Sequence, residues 1–150
     1  MLFGHLAVSA LEHRYTQAEF APIMVAAIFP DAVDKMVHYV LGGLESGRTL
    51  GHSLTGALTT TVVVALIWGK FSAESWVLGY LSHLICDMGH VVPWLYPFVT
   101  YEFPESEEFL SNLWYSLTNA PQMALEITLT IWAVIALWPA IMRLKSQLFH

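Results

Sequence analysis

Charged side chains are scarce in this chain. Only 12% of its 150 residues are Asp, Glu, Lys or Arg, whereas a typical soluble domain carries about 25%. Hydrophobic residues make up 56% of the chain and the mean hydropathy is +0.56. This composition excludes an ordinary soluble domain and indicates an integral membrane protein. The six Trp, six Tyr and eight Phe suit a protein that has two membrane–water interfaces to anchor.

Positive charge and cysteine are rarer still. Six Lys and Arg face twelve Asp and Glu, and the resulting net charge of −6 argues against nucleic-acid binding by phosphate neutralisation. The single cysteine, Cys86, excludes an internal disulfide and a thiolate zinc site. The chain also lacks a Walker-type phosphate loop, an H-E-x-x-H pair and a G-x-S-x-G turn. No basic region precedes the first apolar residues, so we expect no cleavable signal peptide.

Long apolar runs predict the architecture. Residues 53–69 and 122–142 are strong candidates for membrane helices, because at ~1.5 Å per residue each crosses or nearly crosses a ~30 Å hydrocarbon core. Residues 75–88 form a shorter, mixed candidate, and residues 2–12 and 19–29 predict a partly inserted helical pair. We therefore expect an all-α integral membrane protein, folded as a compact bundle of about five helices, some shorter than a full span.

The same pattern predicts a single membrane-embedded domain over residues 1–150. It divides into a motif-bearing region (1–98), an acidic interfacial loop (99–120) and a C-terminal transmembrane helix (121–145).

Helix directions bring polar residues from distant segments to one membrane face. If residues 53–69 run away from His52, residues 75–88 must return to its level, and the pair formed by residues 2–12 and 19–29 ends at that level too. Four basic residues on the opposite side against two here place the polar cluster on the extracytoplasmic face by the positive-inside rule. The candidate metal ligands in this cluster are His5, Asp31, Asp34, His52, His83, Asp87 and His90.

Two spacings within this set predict chemistry. His83 and Asp87 are four residues apart and share one helix face, where they can bind one divalent cation or simply hydrogen-bond to each other. Asp31 and Asp34 follow Pro30 at a spacing of three, which is also typical of acids at a helix N-terminus. Taken singly, His52 is compatible with a helix-start residue and His5 with a histidine bound to a backbone carbonyl.

Taken together, these groups predict a functional site, because ionisable residues in or beside membrane helices are energetically expensive. Nitrogen and oxygen ligands without thiolates favour zinc, as one or two ions, with manganese as an alternative. Paired metals suit phosphoester hydrolysis. Arg48 is expected either to neutralise a phosphate or to anchor a lipid head group.

Three motifs resemble a known family. "FPDAVDK", "RTLGHSL" and "GYLSHLICD…PWLYP" are similar, in that order, to the motifs of the YdjM-like membrane-bound metal-dependent hydrolases, also described as LexA-binding inner-membrane proteins. The resemblance covers roughly residues 1–98, and the arrangement is more distantly similar to zinc-dependent phospholipase C.

This resemblance implies ligand roles residue by residue. His83 and Asp87 match an H-x-x-x-D pair, and His52 matches the histidine that precedes it. Asp31 or Asp34 matches an earlier carboxylate, and His5 matches an N-terminal histidine. The chain departs from the pattern at Gly47, where relatives often have histidine, and at "MGHVVP", where His90 is a candidate replacement ligand.

The resulting expectation is a metal-dependent hydrolase of the bacterial or archaeal inner membrane. A metal-bound hydroxide would attack a phosphoester, such as a phospholipid or a lipid-linked phosphate, with catalytic roles for Asp31, Asp34 and Arg48. Its partners would be the bilayer and a lipid substrate, with homo-oligomerisation left open.

Two alternatives remain. One is a non-catalytic scaffold or partner-binding protein with a structural metal. The other is an ion or proton pathway, which is disfavoured because residues 53–69 offer few polar groups besides threonines.

Overall fold

The computed structural model describes residues 3–42, 46–89, 91–103, 114–115 and 117–148. Within these ranges the chain is helical and contains no β-strand, which confirms the all-helical expectation. The elements are α1 (Gly4–Thr16), α2 (Phe20–Ala26), α3 (Phe29–Lys35), a π-helix (Met36–Leu41), α4 (Leu54–Trp68), α5 (Lys70–Cys86) and α6 (Ala120–Leu148).

Helices α4 and α5 form the predicted hairpin. Ser53 caps α4, since its side-chain Oγ accepts a hydrogen bond from the Gly56 N–H at 3.0 Å. Gly69 joins the two helices at φ +90°, a conformation that other residues rarely adopt. The Trp76 indole donates to Thr60 Oγ1 at 3.0 Å and ties α5 to α4. The hairpin therefore returns the end of α5 to the beginning of α4.

Helices α1 and α6 pack side by side in the same direction. The Phe3 N–H donates to Glu126 Oε2 at 2.7 Å, and Arg14 Nε, further along α1, donates to the Ala136 carbonyl, further along α6. Small residues line the contact and allow a close approach of the two helices. The buried residues of this cluster are Ala7, Ala10, Leu11 and Ala133.

The segment predicted over residues 19–29 forms α2, which stops early, and a second short helix, α3, begins at Phe29. Helix α2 ends at Ala26, and Pro30 occupies the first turn of α3, where its missing N–H costs no hydrogen bond. Helix α2 also lies against the backbone of α5: a Cβ added at Gly79 would come within 2.5 Å of the Ile23 carbonyl oxygen. This approach brings the break after α2 next to the end of α5.

Among the described residues, one helix is long and apolar enough to cross a membrane, at Ala120–Gln147. It coincides with the predicted C-terminal transmembrane helix. Helix α4 is apolar, but its 15 residues rise about 22 Å, short of the ~30 Å hydrocarbon core. Of the two strong candidates for membrane helices, residues 122–142 lie in a helix with the length and composition of a span, and residues 53–69 do not. Residues 104–113 of the predicted acidic loop lie outside the described residues.

Candidate metal centre

Four side chains from three segments converge at the open end of the α4–α5 hairpin. Asp31 comes from α3, His52 from the turn before α4, His83 from the last turn of α5 and Asp87 from the residue that ends it. One potential ligand atom from each lies within 4.8 Å of the others. His52, His83 and Asp87 are at most 1% exposed, and Asp31 is 18% exposed. The group is a buried set of two nitrogen and two oxygen ligands.

The two imidazoles of this group are oriented by their outer nitrogens. His52 Nδ1 lies 2.9 Å from Asp34 Oδ2, and His83 Nδ1 lies 2.7 Å from the Ala27 carbonyl oxygen. Both partners accept hydrogen bonds, so they assign the N–H of each neutral ring to Nδ1. Each Nε2 then presents a lone pair, and the two Nε2 atoms face each other across 3.3 Å. A cation or a proton between the rings would remove the repulsion between these two lone pairs.

Asp34 organises the turn that carries His52. Its carboxylate is fully buried and accepts hydrogen bonds from the backbone N–H groups of Thr49 (2.6 Å), Gly51 (2.8 Å) and His52 (3.1 Å). Burial raises the pKa of this carboxyl, but the hydrogen bonds from His52, Thr49 and Gly51 outweigh burial and lower it. The structure thus places Asp34, predicted as a ligand, behind His52, where it orients the ring.

Gly51 is required by this close approach. A Cβ at that position would lie 2.8 Å from the Pro30 carbonyl oxygen and 3.0 Å from the Asp34 carboxylate. The Gly51 carbonyl oxygen in turn accepts a hydrogen bond from the buried Tyr80 hydroxyl at 2.6 Å. The turn before His52 is therefore held from both α3 and α5.

Asp87 has a different neighbour on each oxygen. Its Oδ1 lies 3.2 Å from His5 Nε2, whereas its Oδ2 lies 3.0 Å from Arg48 Nε and 3.7 Å from His52 Nε2. Burial raises the pKa of the carboxyl, but the neighbouring His5 ring and the Arg48 charge outweigh burial and hold the pKa well below its usual range. Asp87 is thus an ionised carboxylate placed to connect His5 with the four-residue group.

His5 lies beside the four-residue group. Its ring stacks on His83 with the centroids 4.0 Å apart, and it is buried. Within the described residues, Nδ1 of His5 makes no hydrogen bond, and Nε2 has the Asp87 carboxylate at 3.2 Å. An unsatisfied buried polar group costs about 1–3 kcal/mol, which a cation or an ordered water would offset. The incompletely partnered His5 ring and the donor set both fit a bound metal ion.

Asp31 lies close to both Lys35 and His52. Asp31 Oδ1 lies 2.7 Å from Lys35 Nζ and 3.4 Å from His52 Nε2. Burial raises the Asp31 pKa, but contacts with His52 and Lys35 bring it well below its usual range. Burial lowers the His52 pKa, and the hydrogen bonds and charges of Asp31 and Asp34 outweigh it, so that the pKa is raised. In the metal-free protein, a proton on His52 can therefore occupy the place between the rings.

Sequence reasoning identified all four of these residues and missed several that hold them. Nothing in the sequence marks the Ala27 carbonyl, the Tyr80 hydroxyl or the Thr49 N–H as partners of the site. The signal available was indirect: Tyr80 lies three residues before His83, so the two are neighbours on one side of α5. Of the other predicted ligands, His90 lies outside the described residues.

A comparison with known protein families covers the residues of this site and also helix α6. A family model described as "YdjM inner membrane protein" matches residues 1–147. The chain belongs to this family. The YdjM match includes α6, where the sequence motifs gave no indication, and it indicates a membrane location. The comparisons with curated proteins and with solved structures returned no match. The distant similarity to phospholipase C stays a prediction.

Proposed function

We propose that this YdjM-family chain is a membrane-embedded, metal-dependent hydrolase that acts on a phosphoester carried by a lipid, either a phospholipid or a lipid-linked phosphate. One observation carries the proposal. Two buried imidazole Nε2 atoms face each other at 3.3 Å, with the Asp31 and Asp87 carboxylates beside them. This arrangement of lone pairs and negative charges is stable around a cation.

The donor set favours zinc, with manganese as the alternative. Two imidazoles and two carboxylates without a thiolate suit either ion, and each histidine has an outer acceptor of the kind that metal-binding histidines use. A bound divalent ion would lower the pKa of a water ligand and polarise a phosphoryl oxygen. His5 and Asp87 would provide ligands for a second ion, because Asp87 directs Oδ1 towards His5 and Oδ2 towards His52.

The chain's own residues prepare this chemistry. Asp34 and the Ala27 carbonyl fix the two imidazoles with Nε2 turned inward. Burial of His52 and His83 excludes bulk water from that side of the group, which strengthens its electrostatic interactions. Asp31 is partly exposed, so the group opens to solvent on the α3 side.

A lipid substrate is supported by the surroundings of that opening. Large apolar side chains are exposed directly beside the residues of the site: Met36 follows Lys35, Leu50 lies between Arg48 and His52, and Met88 follows Asp87. Exposed apolar surface next to a polar site suits acyl chains entering from a bilayer. Membership of an inner-membrane family and the span at Ala120–Gln147 support the same location.

A second function, a scaffold with a structural metal, is favoured by one specific feature. The described residues offer four protein ligands, three of them almost completely buried, and four ligands close a tetrahedral zinc site. A catalytic site keeps an open coordination position, whereas a structural site does not. Cobalt substitution distinguishes the two, because the absorption spectrum of an open site changes when an anion such as azide is added.

The test begins with elemental analysis of the detergent-purified protein, followed by a hydrolysis screen of phospholipids and phosphomonoesters with the metal found. We expect about one or two equivalents of zinc or manganese. Combined His83→Ala and Asp87→Ala substitutions should abolish binding. His13→Ala should leave it intact, because His13 lies at the far end of α1, where its Nδ1 is 2.6 Å from the Ala18 carbonyl oxygen. Full metal retention in the double variant would overturn the site. Metal binding without hydrolysis or anion response would favour the scaffold.

A further inference from the structure

Two cationic side chains lie at the opening of the metal centre. We propose that Lys35 and Arg48 together form an anion subsite that binds the phosphoryl oxygens of a terminal phosphate, so that the substrate is a phosphomonoester borne by a lipid rather than a phosphodiester. This inference rests on the proposed function, because it narrows the substrate class of the same site.

Each cation contacts a carboxylate of the centre and also reaches solvent. Lys35 Nζ lies 2.7 Å from Asp31 Oδ1 and its side chain is 40% exposed. Arg48 Nε lies 3.0 Å from Asp87 Oδ2 and its side chain is 28% exposed. Arg48 makes this contact through Nε, and a guanidinium carries further N–H donors besides Nε. Both positive charges therefore lie between the buried carboxylates and the outside.

The two cations come from segments that touch. A Cβ at Gly47 would lie 3.8 Å from Lys35 Cγ, which is ordinary van der Waals contact, and Arg48 is the next residue. The carboxylates to which they bind are connected through His52, whose Nε2 lies 3.4 Å from Asp31 Oδ1 and 3.7 Å from Asp87 Oδ2. Lys35 and Arg48 thus flank one opening.

The remaining basic residues lie elsewhere in the fold. Lys70 begins α5 at the far end of the hairpin and pairs with Glu74, and Arg14 donates to a carbonyl oxygen of α6. Arg143 and Lys145 lie near the end of α6. Two of the chain's six Lys and Arg therefore meet at the metal centre, in a protein with a net charge of −6. This concentration is what an anion-binding function requires.

A simpler explanation is that Lys35 and Arg48 only neutralise the carboxylates that they contact. The net charge of the group distinguishes this explanation from anion binding. With neutral histidines, the three carboxylates of Asp31, Asp34 and Asp87 and the two cations leave the metal-free group with a formal charge of minus one. One divalent ion changes this to plus one. Once the ion is bound, the cations exceed the negative charge available, and a bound anion restores the balance.

The number of oxygens selects the class of anion. A metal ion, Lys35 and Arg48 would each bind a different phosphoryl oxygen, so three such oxygens are needed. A phosphomonoester has three terminal oxygens and can meet all three, whereas a phosphodiester has two. Guanidinium and ammonium groups are both established phosphate ligands, and charge-assisted bonds to them are the strong kind.

Phosphate binding to the metal-loaded, detergent-solubilised full-length chain tests this subsite. The calorimetric probes are inorganic phosphate, methyl phosphate and dimethyl phosphate, with metal content measured separately. We expect Lys35→Gln and Arg48→Gln each to weaken phosphate binding about tenfold or more, consistent with the loss of one charged hydrogen bond. Lys35→Arg should retain most of the affinity. Lys70→Gln is the matched control, because it removes a lysine from another i,i+4 pair and should change nothing.

Dimethyl phosphate should bind at least about tenfold more weakly than methyl phosphate. Unchanged phosphate affinity in both Gln variants, or equal affinity for the two esters, would overturn the subsite while leaving the metal centre standing. A chain that takes up no metal overturns both proposals. Lys35 is on the surface, so its variants report on binding rather than on folding, and circular dichroism verifies this.

Discussion

The Nε2 atoms of His52 and His83 face each other across 3.3 Å, each ring held from behind by an acceptor on its Nδ1. Two residues 31 positions apart are thereby fixed in a geometry that only a proton or a cation relieves. We therefore expect the affinity of this candidate centre for a metal ion to depend on groups outside the four candidate ligands.

Asp34→Asn tests this dependence. The substitution removes the charge that stabilises the Nδ1–H of His52 and leaves the four ligand side chains in place. We expect metal affinity to fall by about 10- to 100-fold, the usual effect of losing a partner behind a metal-binding histidine. Competition with a fluorescent chelator measures it. If the affinity is unchanged, Asp34 acts only on the fold of the turn.

Acidification should weaken metal binding. The metal needs an unprotonated His52 Nε2, and the pKa of His52 is raised above its usual value of 6.5, so protons compete with the metal from a higher pH than they would at a free imidazole. Below that pKa, affinity should fall about tenfold per pH unit for one displaced proton. Titrations at pH 8, 7 and 6, corrected for the chelator, would show this slope. A flat profile would exclude His52 as a ligand.

The metal-free protein should show the opposite trend over the same window. A raised folded-state pKa means that protonated His52 contributes stability that is fully present below pH 6.5 and is lost as the pH rises through the folded-state value. The lowered pKa values of Asp31 and Asp34 act only in more acidic solution. His83 opposes this trend below pH 6.5, because burial lowers its folded-state pKa to about 4 and the unfolded chain takes up the proton there. Thermal unfolding of the chelator-treated protein in detergent should therefore show a decreasing midpoint in the upper part of this window, between pH 7 and 8.

Tyr80→Phe removes the hydroxyl that donates to the Gly51 carbonyl at 2.6 Å. The buried carbonyl loses its partner, so we expect about 1–2 kcal/mol of destabilisation and weaker metal binding, because His52 is the next residue. Denaturant unfolding and metal titration are the measurements. Tyr15→Phe, at an exposed tyrosine on α1, should leave both unchanged.

Glu126→Ala should destabilise α1. The carboxylate accepts the Phe3 N–H at 2.7 Å, at the positive end of α1, where no side chain of α1 itself provides a cap. We expect a loss of about 1–3 kcal/mol for Ala and a smaller loss for Gln, which retains an acceptor but not the charge. The melting temperature in detergent ranks the three proteins. Equal values for Ala and wild type would show that the contact contributes nothing to stability.

Side-chain patterns predicted the candidate centre well, because its ligands are side chains. The spacing of His83 and Asp87 placed them together at the end of α5, and the hairpin direction brought His52 to them, as the 3.7 Å between His52 Nε2 and Asp87 Oδ2 shows. The role of Asp34 was not predictable, because its partners are mostly backbone N–H groups, which every residue possesses.

The helical architecture was predicted less completely, because it depends partly on backbone contacts that side-chain patterns do not show. The predicted segment 53–69 agrees with α4 (Leu54–Trp68) to within one residue at each end, but this helix rises only about 22 Å, short of the ~30 Å hydrocarbon core. The break between α2 and α3 depends on Pro30 and on the packing of Ile23 against Gly79, a contact between segments far apart in the sequence. Contacts between distant segments produce no periodic pattern in the sequence.

The contact between Phe3 and Glu126 has a consequence for synthesis. Its two partners are 123 residues apart, so the helix that carries His5 leaves the ribosome first and receives its cap almost last. Asp31, His52, His83 and Asp87 can assemble while the chain is still growing. His5 then already has His83 and Asp87 as neighbours, but the helix that carries it gains its cap only after α6 has emerged. A chain that stops before Glu126 therefore lacks this hydrogen bond at the start of α1.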